Sequence, residues 1–294
     1  MHVLEVTTPD GRTLEVLEAG DADGFPWLFH FGTPSSVVPS EMLDEVAGAA
    51  RLRMISYSRP GYGSSTARSA PGDITADIPD SVAVLDALGV GEFVTLGWSG
   101  GGPRALACAA LLPDRCRAAS TIAGVGPSDA PDLDFNAGMG PENVEEFAAA
   151  QAGVEAYTEF LEPQVAGMAN VTGADIAASL GELVTPVDVA ALTGDFADWM
   201  AATFRHAFEQ GIAGWRDDGL AIMNPWGFDV STMSVPVSIW QGRQDAMVPY
   251  EHGVWLADHV AGAKAHLFED EGHLSLVSQI DRILEDLKEL AGLD

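Results

Sequence analysis

The sequence predicts an α/β fold: a mostly parallel sheet with helices on both faces, interrupted in its second half by a helical insertion. Three observations predict it. Short apolar runs alternate with helically spaced segments as far as Ala123, and strands apolar along their whole length belong in a sheet covered on both sides. Between residues 128 and 230 the alternation stops and only helical candidates remain. From Val235 it resumes.

The elements follow in order. His2–Val6 and Leu14–Leu17 read as strands joined through the turn signal Pro9-Asp10-Gly11. Trp27–Phe31 is a buried strand that runs into Gly32-Thr33-Pro34, and a helix follows over Pro39–Ala50. Leu52–Tyr57 is the next strand, ending in Arg59-Pro60-Gly61-Tyr62-Gly63. Ile74, Ile78, Val82, Leu85 and Leu88 recur at helical spacing. Phe93–Leu96 is a strand, Pro103–Leu112 a helix and Arg117–Ala123 a strand. The helical candidates of the insertion are Val144–Leu161, Ala174–Leu183 and Ala197–Phe208. Strand Val235–Trp240, helix Val254–Ala261, strand Lys264–Phe268 and amphipathic helix Leu274–Leu290 complete the chain. Residues 1–127 and 231–294 therefore form the core, and residues 128–230 the insertion.

Composition narrows the function classes. With 44 acidic residues against 14 Lys and Arg, the net charge is −30, which repels nucleic acid and anionic membrane surfaces. No apolar run reaches the roughly 18 residues of a membrane span, and Met1–Gly11 lacks the basic start and apolar block of a signal peptide. The expectation is a cytoplasmic protein acting on a small molecule, with no nucleic-acid or membrane partner; a homodimer is compatible with the sequence. Cys108 and Cys116 make no disulfide framework and have no metal-ligand spacing. Neither metal nor cofactor is expected.

Gly97-Trp98-Ser99-Gly100-Gly101 fits G-x-S-x-G. A nucleophilic serine must stand clear of a sheet on a strained strand-to-helix turn, and the residues two before and two after it lie too close for side chains. The plainer alternative is a glycine-rich turn capped by serine. The match sits between a buried strand and an apolar helix, which is the context the nucleophile requires. At a helix start the Gly100 N–H is also a ready donor to an oxyanion. A phosphate loop is excluded, because neither G-x-G-x-x-G nor a terminal G-K-[ST] is present.

Serine needs a base, usually a histidine held by a carboxylate. Of the seven histidines, His273 follows the last strand at a loop-to-helix junction. Asp245 likewise follows a strand, and Ser99, Asp245, His273 is the serine–acid–histidine order of a known hydrolase class. Asp129, after strand Arg117–Ala123, is the fallback acid.

With these three in order, the chain resembles the α/β-hydrolase superfamily over nearly its whole length. The resemblance rests on His30–Pro34, Arg59–Gly63, Gly97–Gly101, Gly242–Asp245 and Glu271–His273, with Pro225–Phe228 before the late strand. It implies that the backbone N–H of Thr33 joins that of Gly100 in an oxyanion hole. Phe31 stands where such enzymes usually carry histidine, and Gln241 replaces a histidine often found before Gly242. Related dehalogenases and epoxide hydrolases carry aspartate at the elbow, so Ser99 points to acyl transfer. The insertion would then be a cap, with Trp199, Met200, Phe204 and Trp215 among its large apolar side chains. These are read mainly as cap core, some as pocket; Trp98 and Phe31 are the expected substrate contacts.

The resemblance implies a serine hydrolase acting on an ester, thioester or lactone of a small to medium apolar substrate. One alternative is an aminopeptidase resembling proline iminopeptidases, with Asp217 and Asp218 binding a substrate amine. Another is a ligand-binding protein on the same fold without turnover.

Overall fold

The computed structural model describes residues 1–168 and 170–293. Eight strands form one sheet: β1 (His2–Thr7), β2 (Thr13–Gly20), β3 (Phe25–His30), β4 (Leu52–Tyr57), β5 (Phe93–Trp98), β6 (Cys116–Ile122), β7 (Val237–Gly242) and β8 (Lys264–Phe268). Their spatial order is β1-β2-β4-β3-β5-β6-β7-β8. The β1–β2 and β2–β4 pairs are antiparallel, and every pair from β4 to β8 is parallel. The predicted mostly parallel sheet is therefore correct.

Helices α1 (Glu41–Ala49), α2 (Ile78–Ala87) and α3 (Gly102–Leu111) connect the early strands. Between β6 and β7 lie α4 (Pro141–Ala152), α5 (Val154–Met168), α6 (Ile176–Ser179), α7 (Pro186–Ala191), α8 (Gly194–Ala207) and α9 (Ala213–Met223). Helices α10 (Tyr250–His259) and α11 (Ile280–Leu290) complete the fold. Successive strand residues feed opposite faces of the sheet. Trp27 and Phe29 join a core cluster with Leu43 of α1 and Leu284 of α11, whereas Leu28 joins one with Leu85 of α2 and Leu106 of α3.

The sequence reading differs from the structure mainly in the insertion. The single helix expected over Val144–Leu161 is two, because Gly153 has φ +113°, a conformation that ends an α-helix. Of Ala174–Leu183, only the turn α6 is α-helical; a short 3₁₀ segment, Gly181–Leu183, follows. Helices α7 and α9 lay outside the expected elements. In α9 a Cβ on Gly214 would stand 2.6 Å from the Tyr62 ring, and one on Gly219 2.1 Å from the Tyr157 hydroxyl. Close tertiary packing therefore outweighs the poor helix propensity of glycine. No helix among the described residues is long and apolar enough to cross a membrane.

Candidate active site

Three loops at the carboxyl ends of β5, β7 and β8 carry Ser99, Asp245 and His273. Ser99 has φ +56°, left-handed backbone that side-chain-bearing residues rarely adopt. Its glycines have the reason expected of them. A Cβ on Gly97 would lie 2.2 Å from the Gly101 carbonyl oxygen, and one on Gly101 2.0 Å from that of His30.

His273 is buried, and its Nδ1 lies 2.8 Å from Asp245 Oδ2. Asp245 is itself held. Its Oδ1 accepts the N–H groups of Met247 and Val248, both at 2.8 Å, and its Oδ2 accepts Gln241 Nε2–H at 3.0 Å. Gln241, which departs from the usual histidine, thus orients Asp245. Burial pulls the His273 pKa down, but the charge and hydrogen bond of Asp245, with a smaller contribution from Asp188, raise it on balance above the usual imidazole value. Asp129 is exposed on the loop after β6, and the carboxylate that pairs with His273 is Asp245. The other histidines are engaged elsewhere: His206 pairs with Glu15, and buried His30 is pushed down to about 3 and stays neutral.

Ser99 and His273 open on one cavity of about 210 Å³, together with Phe31, Thr33 and Trp98. Trp98 also stacks on the His273 ring, with centroids 6.1 Å apart. Trp199, Met200, Phe204 and Trp215 reach the cavity from the insertion. Among the described residues no side chain hydrogen-bonds Ser99 Oγ; a nucleophile–base bond commonly tightens only when substrate binds.

The Phe31–Thr33 loop rests on a buried ionic cluster. Arg59 donates to the carbonyl oxygens of Phe31 and Gly32, each at 2.7 Å. The Gly32 carbonyl shares its peptide unit with the Thr33 N–H, so Arg59 fixes the plane of that donor. Asp218 of α9 accepts from Arg59 Nε, from Arg104 Nη2 at 2.9 Å, from Tyr62 at 3.1 Å and from the Thr33 hydroxyl at 2.7 Å. Burial would raise the Asp218 carboxyl, but Arg104 and Arg59 hold it below the usual carboxylate range. Arg104 also binds the Gly100 carbonyl at 2.6 Å and Asp77 at 2.8 Å. Asp218 is thus occupied, Asp217 pairs with Arg216, and neither lines the cavity. Those two aspartates are therefore corrected from amine-binding residues to structural ones.

A family model described as the α/β hydrolase fold matches residues 27–159. A non-heme chloroperoxidase from Streptomyces lividans is 28% identical over 255 residues, 83% of each chain. The 2-hydroxymuconate semialdehyde hydrolase from Pseudomonas putida is 24% identical over 278 residues, 91% of this chain and 90% of that one. The esterase from Exiguobacterium antarcticum superposes with a TM-score of 0.71 at 19% identity, covering 99% of this chain and 100% of its own. The chain has the α/β-hydrolase fold.

Several residues around the site escaped the sequence reading or were read in another role. Arg104 had a signal, a lone charge in an otherwise apolar helix. Asp188 had none, being one carboxylate among 44, and Asp218 was read only as a possible amine-binding group. Glu146 of α4 also lines the cavity; its Oε1 accepts from Tyr157 at 2.6 Å and Trp215 at 2.7 Å. Burial raises its pKa, which those two hydrogen bonds only partly offset.

Proposed function

We propose that the protein is a serine hydrolase that cleaves an ester, thioester or lactone of a small to medium apolar substrate through an acyl-enzyme. The observation that carries this reading is a buried His273 held on Asp245 and opening, with an elbow serine, on one largely apolar cavity. Ser99 Oγ attacks the carbonyl carbon while its proton passes to His273. The carbonyl oxygen becomes an oxyanion between the N–H groups of Gly100 and Thr33, worth several kcal/mol at the transition state. His273 then protonates the leaving group, and water, deprotonated by His273, releases the acyl group. Asp245 orients the imidazole and stabilises its charged form. Residues 128–230 act as the cap, and Trp98 and Phe31 border the substrate. The esterase and hydrolase names among the similar proteins support the chemistry. Two buried free cysteines, Cys108 and Cys116, support a cytoplasmic setting. The test is hydrolysis of short p-nitrophenyl esters and simple lactones by the wild type and by Ser99→Ala. Turnover abolished by the substitution supports the reading; equal turnover by both removes Ser99 from it.

Glu146 favours a second reading, an aminopeptidase-like enzyme. Its Oε2 has no hydrogen-bond partner among the described residues, and no Lys or Arg lines the cavity, so it suits an ammonium group. Prolyl p-nitroanilide cleaved faster than p-nitrophenyl butyrate, with Glu146→Gln removing that preference, would put this reading first.

A further inference from the structure

Asp188 lies in α7, inside the insertion, yet it is fully buried against the loop that carries His273. Its carboxylate collects three successive backbone donors. The His273 N–H reaches Oδ2 at 3.1 Å, and the N–H groups of Leu274 and Ser275 reach Oδ1 at 2.7 and 3.0 Å. The Thr185 hydroxyl donates to Oδ2 at 3.3 Å. The sequence makes room for this approach: a Cβ on Gly272 would stand 2.5 Å from Asp188 Oδ1. None of these donors is a cation, and the carboxylate is one of the two that raise the His273 pKa.

The groups around His273 are few. Asp245 faces Nδ1 from the loop after β7, Asp188 meets the backbone from α7, and Trp98 stacks on the ring. Glu142, Glu145 and Glu146 of α4 line the cavity that His273 faces, but none of them hydrogen-bonds the imidazole. When Ser99 gives its proton to His273, the imidazolium gains a positive charge, which a nearby carboxylate stabilises.

We propose that Asp188 is a positioning residue for the hydrolysis: it fixes the backbone of the His273 loop from the insertion and adds a second negative charge to favour the imidazolium. The proposal rests on the serine-hydrolase reading. It also makes the insertion part of the catalytic assembly, because removing α7 would release the base.

The test is the pH profile of kcat/KM for p-nitrophenyl butyrate in wild type and Asp188→Asn, with circular dichroism to confirm folding. The neutral variant loses the charge and sets an amide hydrogen against a backbone N–H. The acidic limb is expected to move down by about half to one pH unit, and kcat to fall about 10- to 100-fold as the base is misplaced. A uniform loss at all pH values with the limb unmoved would reduce Asp188 to a structural cap and overturn the proposal. An unchanged rate and limb would overturn it as well. Should Asp188→Asn not fold, Gly272→Ala pushes the carboxylate off the loop and carries the same expectations. A wild type that hydrolyses no ester and leaves Ser99 unlabelled by a fluorophosphonate would instead sink the hydrolase reading itself.

Discussion

Replacing Asp218 by Asn tests the proposed oxyanion hole. The side chain keeps its shape, but one acceptor oxygen becomes an amide facing guanidinium N–H groups. Arg59 loses its only carboxylate partner among the described residues, whereas Arg104 keeps Asp77 at 2.8 Å. Breaking one member of a buried ion pair costs about 3–5 kcal/mol, and the retained Asp77 contact argues for the lower end. For a chain of this length that is a fall in Tm of about 5 °C. The activity loss follows from the Gly32–Thr33 peptide, whose plane depends on Arg59. Loss of one oxyanion donor lowers kcat about 10²-fold, with KM changing less. Thermal melts and p-nitrophenyl ester kinetics measure both quantities. A folded Asp218→Asn with wild-type Tm and kcat would refute the argument that this aspartate holds the donor loop. Because Asp218 is held below its ordinary value, its contribution is present at neutral pH and is lost as acid protonates it.

Other substitutions follow from the same geometry. Asp245→Asn should lower kcat about 10³–10⁴-fold and shift the acidic limb of kcat/KM downward, since Asp245 is the largest influence raising His273. An unmoved limb would remove it as the acid. The His206–Glu15 pair ties α8 to β2, and its hydrogen bond and charge raise His206 to about 9. Because the folded value lies above the unfolded one, the stabilisation is complete below about 6.5 and disappears as pH rises toward 9. Melts across that range should show a pH-dependent Tm component that His206→Gln lacks. Gly101→Ala should abolish folding or activity, because its Cβ would lie 2.0 Å from the His30 carbonyl oxygen; a soluble, fully active variant would contradict the close approach.

The sheet and the three candidate catalytic residues were legible because both signals are local. An apolar run marks a strand, and the residue just beyond it marks a loop at the sheet's carboxyl edge. Ser99, Asp245 and His273 all read that way. The insertion was less legible. Gly153 divides a segment whose apolar spacing continues across it, and α9 depends on glycines that fit against Tyr62 and Tyr157. The structural roles of the supporting carboxylates were not legible. Asp188 acts on a loop 85 residues away and Asp218 on an arginine 159 residues away. No local pattern separates either from the many acids that only solvate the surface.

The central claim is that His273 and Asp245 activate Ser99. Treatment of the folded protein with a fluorophosphonate probe, followed by peptide mapping, tests it without knowledge of the substrate. The account predicts a single adduct, on Ser99, formed far more slowly in His273→Ala. No adduct on Ser99 in the folded wild type, or equal labelling of the variant, would contradict it.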